Sequence, residues 1–574
     1  MKRHVLWIFV ELGVTLAVTP PDQAPQPAPP SLAKLMPSGP LLYVESPDFA
    51  ALVHDWNNSA EKKAWLAGDN YQVFSRSRLF LRLSETQKEF AVAAAAPPDM
   101  ALLESVAGSE SALALYDIGN LEFLYITRLP SARAIDNAFW RGKEKFEPRK
   151  VADIPYYVHT EPTKNRLVAF AAVKDFLLLA TREDLIAGAL SVLSGKSMRA
   201  LSDEPWFTSA AREAGPRGDL RMVLNLARLV KTPHFRSYWI QRNVSDLRPY
   251  VAEVADVHRS AEQIREERVL LRNIGNNDAT EQVSPEDSVL ASLLRLVPDD
   301  CGVYRAWSAP SVDQALDLLE RKALSPRIGR GVAPTRGPIV VLTEGQTGSE
   351  GDLETRIDVP PGTASGGGFE PEALKKVLAR AKLEGVLEVE STRTLPGGVF
   401  VGTQSAIVVQ AASDWNQDEA RSALLSAVRG LWTTSGLGAN WVEKGAGDAA
   451  YSELDGLTHL AMAARGRTLI VGTGSDPVVA VLKRMATAPG KESGVYAAGF
   501  RHAAERRDIV SMTHLIEAPL ARQFGEGPGG HEPWFFSENL ASLSQSLECV
   551  ESESILVRER GPLVSETVIY RLSQ

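Results

Sequence analysis

Two stretches of the chain share one pattern of apolar and polar positions. Ala169 to Leu190 reads AFAAVKDFLLLATREDLIAGAL, and Ala461 to Leu482 reads AMAARGRTLIVGTGSDPVVAVL. They align without a gap at an offset of 292, with Ala169/Ala461, Ala171/Ala463, Ala172/Ala464, Leu177/Leu469, Thr181/Thr473, Asp184/Asp476 and Leu190/Leu482 identical. In each, an apolar run, a short polar turn (Val173-Lys174-Asp175 or Arg465-Gly466-Arg467) and a second apolar run predict two tightly joined strands. Apolar residues then recur at helical spacing. Glu183, Asp184 and Asp476 fall in the first helical turn, where the helix dipole favours acids, and Pro477 suits that turn as well.

A second match lies upstream. Pro37 to Val44 is a turn and a strand centred on Tyr43, and Pro298 to Arg305 repeats it around Tyr304. Each precedes a proline near a helix start, Pro47 or Pro310. Ala112–Tyr116 and Leu121–Arg128 predict a hairpin, with a helix from about Arg133. Gly398–Gly402 and Ala406–Ala411 predict another, with a helix capped by Ser413 or Asp414. The expected fold class is therefore α+β: two diverged copies of a unit in which helices cover a mainly antiparallel sheet. The copies span residues 37–273 and 297–574, joined by a linker and helix over 274–296. The first is expected to end in a charged helical segment, Pro233 to Arg272. The second carries a Gly- and Pro-rich insertion near 325–368, of loop composition. A last hairpin, Ser554–Glu559 and Leu563–Tyr570, turns at Gly561-Pro562.

With 574 residues, more than one core is the expectation. The balance of 62 basic and 71 acidic residues gives a net charge of −9, and no basic stripe accompanies stacking aromatics, which argues against nucleic acid as a partner. Met1-Lys2-Arg3-His4, the 14-residue apolar run Val5–Val18 and six prolines between Pro20 and Pro30 form the pattern of a signal peptide. Residues 1–19 are read as that signal or a short anchor, and 20–36 as a Pro-rich linker. The run is shorter than the roughly 20 residues of a membrane-spanning helix, so any membrane attachment would be through an uncleaved N-terminus. The expected location is exported, periplasmic or membrane-tethered. Cys301 and Cys549 are the only cysteines, and either bridge or stay as free thiols.

Chemistry is not legible in the sequence. Gly195-Lys196-Ser197 resembles the end of a phosphate loop, but Leu190 stands where its first glycine is required. Asp414, Asn416 and Asp418 imitate a calcium loop that Glu419 and Leu425 break. The nine histidines show no metal-ligand spacing. Glu388/Glu390 and Glu551/Glu553 each share one face of a strand, the solvated face by alternation. No catalytic residue, cofactor site or metal site is assigned. The tetrapeptide Glu-Pro-Trp-Phe occurs at 204–207 and 532–535. Trp206, Phe207, Trp534 and Phe535, with Tyr238 and Trp239, are either packing residues or an aromatic surface for a partner.

Phe176 to Thr181, Ala187 to Leu190 and Leu201-Ser202-Asp203-Glu204-Pro205-Trp206-Phe207 resemble uncharacterised bacterial exported proteins of a domain-of-unknown-function family. That resemblance implies an envelope location and supplies no catalytic residue. The second half departs from it at Gly494-Val495-Tyr496. Three functions follow as expectations: a non-enzymatic envelope protein binding a protein or polymer, a hydrolase with a site assembled from distant residues, and a membrane-tethered assembly or lipid-handling factor. A polar cleft with converging acids would favour the second, and a long apolar cavity the third.

Overall fold

The computed structural model describes residues 31–67, 71, 75, 78–94, 100–130, 132, 138–161, 166–196, 199–232, 247–260, 262–273, 288–324, 369–394, 401–432, 440–455, 460–506, 508 and 549–573. The chain divides into two compact units. Met1–Thr280, Gly525–Glu551 and Arg560–Gln574 form the first, and Glu281–Phe524 with Ser552–Glu559 the second.

The first unit contains β1 (Leu42–Ser46), β2 (Glu110–Asp117), β3 (Glu122–Arg128), β4 (Glu147–Val151), β5 (Ile154–Glu161), β6 (Arg166–Val173), β7 (Phe176–Ala180), β8 (Leu220–Leu224), β9 (Tyr250–Arg259) and β10 (Gln263–Arg272). The last strand of the chain, β20 (Leu563–Leu572), also belongs to it. Every pairing is antiparallel, in the order β4-β5-β6-β7-β3-β2-β1-β8-β9-β10-β20. Alternation along the strands sends Tyr43, Ala114, Leu124, Leu178 and Ala180 to one face. There they meet helices α1 (Glu183–Leu193) and α2 (Pro205–Ala214). Leu177, Leu179 and Phe170 point to the other face, against the long helix α3 (Arg78–Ala94) and residues around Phe139. Leu32, Ala33 and Met36 are buried in the first of these cores, so packing begins before residue 37.

The second unit contains β11 (Val303–Ser308), β12 (Leu383–Thr394), β13 (Val401–Ala411), β14 (Asn440–Lys444), β15 (Tyr451–Asp455), β16 (Leu460–Arg465), β17 (Thr468–Gly472), β18 (Tyr496–Phe500) and β19 (Val550–Arg560). Its antiparallel order is β14-β15-β16-β17-β13-β12-β11-β18-β19. Numbered from the start of each unit, both orders read 4-5-6-7-3-2-1-8-9. Registers agree as well. In the first unit Ala169, Ala180, Leu124, Ala114, Tyr43, Val223 and Val254 are successive cross-strand partners. In the second, the series is Ala461, Gly472, Ala406, Val389, Tyr304, Gly499 and Ser554. Two sequence matches with different offsets, Ala169/Ala461 and Tyr43/Tyr304, thus occupy corresponding rungs.

Local chemistry repeats too. The turns between the matched strands use left-handed residues at matched positions, Lys174 (φ 53°) and Gly466 (φ 52°). Thr181 Oγ1 accepts from the Phe123 amide at 2.9 Å while the Thr181 amide donates to the Phe123 carbonyl at 3.1 Å. Thr473 makes the same pair of bonds with Ser405, at 3.0 and 2.9 Å. Each threonine closes the ladder of the strand it terminates. Thr181→Val and Thr473→Val keep the shape and strand an amide, so each is expected to cost about 1 kcal/mol in urea unfolding. A loss at one site but not the other would show that the two closures are not equivalent.

The structure corrects four expectations. The helix expected over Pro233–Arg272 is replaced by strands β9 and β10 over Tyr250–Arg272, while 233–246 lies outside the described residues. Glu253 and Asp256 resemble the polar side of a helix by their spacing, yet both are buried, because β9 runs between β8 and β10 with neither face open. Second, Gly398–Gly402 and Ala406–Ala411 are not a hairpin. Val401–Ala411 is one strand, with Gly402 inside it, paired with β12 and β17. Third, the helix that follows, Gln417–Trp432, is capped by Asn416, whose side chain accepts from the Glu419 amide at 3.1 Å, and not by Ser413 or Asp414. Fourth, Glu388 is not on a solvated face: its side chain is 1% exposed.

An apolar cavity in the first unit

Beneath the helices that join β1 to β2, the first unit has an apolar cavity of about 770 Å³ that opens to the surface. Its floor is one rung of the sheet: Val44, Leu113, Tyr125 and Leu179 are successive partners, all on the face opposite Tyr43. Its roof comes from Phe49, Phe90, Leu103 and Val106, with Phe139 closing one side. An engineered apolar cavity of about 150 Å³ stays dry and takes up benzene. This one is roughly five times larger and lies within the range of about 300–1,000 Å³ typical of ligand pockets.

The few polar groups in the lining are organised. Tyr125 Oη donates to the Val106 carbonyl at 2.9 Å and lies 3.3 Å from Ser111 Oγ. Ser111 Oγ is 2.6 Å from Thr127 Oγ1. Burial pushes the Tyr125 hydroxyl up to about 12, so it is neutral across the physiological range. The Tyr125–Val106 bond also fixes the end of the roof helix Met100–Val106 to the sheet.

The corresponding rung in the second unit is chemically different. Arg305, Glu388, Ile407 and Val471 are its successive partners. Where the first unit has Val44 and Leu113, the second has an ion pair, Arg305 Nη1 to Glu388 Oε1 at 3.1 Å. Lys322 Nζ adds contacts of 2.9 Å to Glu388 and 2.6 Å to Glu390. Above this rung the connection between β13 and β14 contains the 16-residue helix Gln417–Trp432, which packs Leu424, Ala427 and Val428 into the core. In the matching connection of the first unit, the described residues form the short helical turns Ala138–Arg141 and Lys143–Lys145.

Outside the cavity, the buried charges are mostly tied to partners. Arg221 clasps Asp256 through Nε and Nη2 at 2.8 and 2.7 Å, and the Gly218 amide adds a third bond. Glu45 accepts from Ser31, Tyr43 and Arg217. Arg268 binds Glu266 at 2.6 and 2.7 Å and Glu566 at 3.0 Å. Glu253 stands apart: it is 1% exposed and neither carboxylate oxygen has a hydrogen-bond partner. Among the described residues, no group of three or more His, Cys, Asp or Glu is placed to hold a metal ion.

The aromatics singled out in the sequence separate. Phe207 is buried, edge-on to Tyr43 at 5.6 Å, and serves the core. Trp206 is half-buried beside it, and its indole donates to Glu204. Tyr238, Trp239, Trp534 and Phe535 lie outside the described residues. Cys301 and Cys549 are not joined by a disulfide. Gly195, with φ 82°, ends α1 rather than wrapping a phosphate. The cavity residues escaped the sequence reading because they come from many elements between Val44 and Leu220. The available signal was that Val44, Leu113, Phe123 and Tyr125 occupy the strand face opposite the predicted core.

No family model matches the chain, and no curated protein does. Among solved structures, similarity is found to "Structure of crystal form I of TP0453" at 14% identity and a TM-score of 0.24, covering 42% of this chain and 78% of that one. Crystal form IV of the same protein gives 11% identity, a TM-score of 0.24 and coverage of 42% and 79%. At that TM-score the likeness carries no argument, and the fold rests on the geometry above. Among the described residues, no helix is long and apolar enough to cross a membrane.

Proposed function

We propose that the chain is an exported envelope protein built from two diverged copies of one unit, and that the first copy binds an elongated apolar ligand of the acyl-chain class. The single observation that carries the reading is the 770 Å³ cavity floored by Val44, Leu113, Tyr125 and Leu179. Each methylene moved from water into such a space contributes about 0.8 kcal/mol, so a chain of ten or more carbons supplies ample affinity. The common strand order and matched registers support the duplication. The ion pair Arg305–Glu388 at the equivalent rung supports a division of labour in which the second copy is structural.

Binding is tested with the uncharged fluorophore N-phenyl-1-naphthylamine. The whole protein is expected to enhance its emission saturably. Leu113→Trp, which fills the floor from β2, is expected to abolish that enhancement while keeping stability within about 1 kcal/mol, since it replaces empty space. Val44→Phe, from the neighbouring strand, should do the same. Emission unchanged in both folded variants would place the probe elsewhere and end the proposal.

A further inference from the structure

The cavity also says which end of a ligand it can accept, an inference that rests on the binding proposed above. Ser46, Ser111 and Tyr125 bring polar groups to the apolar floor, and Gln87 adds an amide from α3. The hydroxyls of Ser111, Thr127 and Tyr125 already satisfy one another and the Val106 carbonyl. Such a cluster can exchange one internal bond for a bond to an uncharged oxygen. Nothing in it can neutralise an anion.

The surrounding charge points the same way. Glu45, an acid beside the lining, turns its carboxylate to the opposite face, where it accepts from Tyr43. Arg217, 3.1 Å from it, is engaged by that carboxylate. Among the described lining residues there is no lysine, arginine or histidine. A carboxylate drawn into this space would lose its water without gaining a cation, which is unfavourable in a low-dielectric site. An alcohol or an ester loses far less and recovers a hydrogen bond.

We infer that the cavity selects apolar chains with an uncharged polar end, such as fatty alcohols, monoacylglycerols and acyl esters, over ionised fatty acids. The polar end is held by Ser111 and Tyr125, and the chain runs over Leu113 and Val44 beneath Phe90.

The experiment is displacement of N-phenyl-1-naphthylamine from the whole protein at pH 8 by three ligands with the same chain: 1-dodecanol, methyl dodecanoate and dodecanoate. The alcohol and the ester are expected to displace the probe at concentrations at least about tenfold lower than dodecanoate. Ser111→Ala should weaken dodecanol by about three- to tenfold and leave dodecanoate unchanged. Dodecanoate binding as tightly as dodecanol would overturn the selection while leaving the cavity a ligand site. A probe that never binds would remove the ligand site itself, and the selection with it.

Discussion

Arg221→Ala is expected to cost the first unit about 3–5 kcal/mol, the largest effect of any single change considered, because it leaves Asp256 ionised in the core with nothing opposite it. Asp256 is 1% exposed and receives both arms of the guanidinium and the Gly218 amide. Arg221 Nη2 also donates to the carbonyls of Gly215 and Pro216, so truncation frees two further acceptors at the end of α2. The bond joins β8 to β9, next to β1, which supplies Val44 to the cavity floor. Replacing both partners together, Arg221→Met with Asp256→Leu, should recover most of the loss. Urea unfolding of the single and double variants measures both. A single variant as stable as the parent would mean that the pair is not buried as described.

Glu253→Gln is expected to act in the opposite direction and only at higher pH. Desolvation lifts the Glu253 carboxyl from 4.5 to about 7, with Glu266 and Glu566 adding to the rise and Arg268 opposing it. The sign follows from proton binding. Below pH 4.5 the group is protonated both folded and unfolded and adds no penalty. Between 4.5 and 7 the unfolded chain ionises first, so stability falls by about 1.4 kcal/mol per pH unit. Above pH 7 the full cost of about 3 kcal/mol is in place. Glutamine cannot ionise and escapes that cost. The variant should therefore gain about 3 kcal/mol over the parent at pH 8 and differ little at pH 5, read from urea midpoints at the two values. Equal gains at both pH values would show that the effect is packing instead of ionisation.

These two acids also explain where the sequence misled. A strand buried on both faces has no alternation to display, and the only visible periodicity in β9 came from Glu253 and Asp256, three residues apart. Arg221, the partner of Asp256, is 35 positions away, and the charges that act on Glu253 come from Arg268 and Glu266 on β10 and Glu566 on β20. No local window could reveal that the charges face inward. By contrast, the segment from Ala169 to Leu190 was readable because its strands, turn and helix are contiguous. The same holds for Tyr43 and Tyr304, each set in a strand between a proline turn and a capped helix. Connections were the weak point. The sequence suggests a turn between Gly402 and Ala406, and only the long ladder with β12 reveals Val401–Ala411 as one strand. The cavity was hidden for a related reason: Val44, Leu113, Tyr125 and Leu179 are neighbours only once four strands have been laid side by side.

The first unit is closed by a strand that the chain makes last. β10 receives its outer partner from Leu563–Leu572, after nearly three hundred residues devoted mainly to the second unit. While a ribosome is still translating, β10 has an unsatisfied edge carrying Arg265, Glu267 and Arg268, charges that discourage wrong pairing with other nascent chains. The second unit likewise waits for β19, so translation stalled before residue 550 should leave both sheets short of an edge strand and open to digestion.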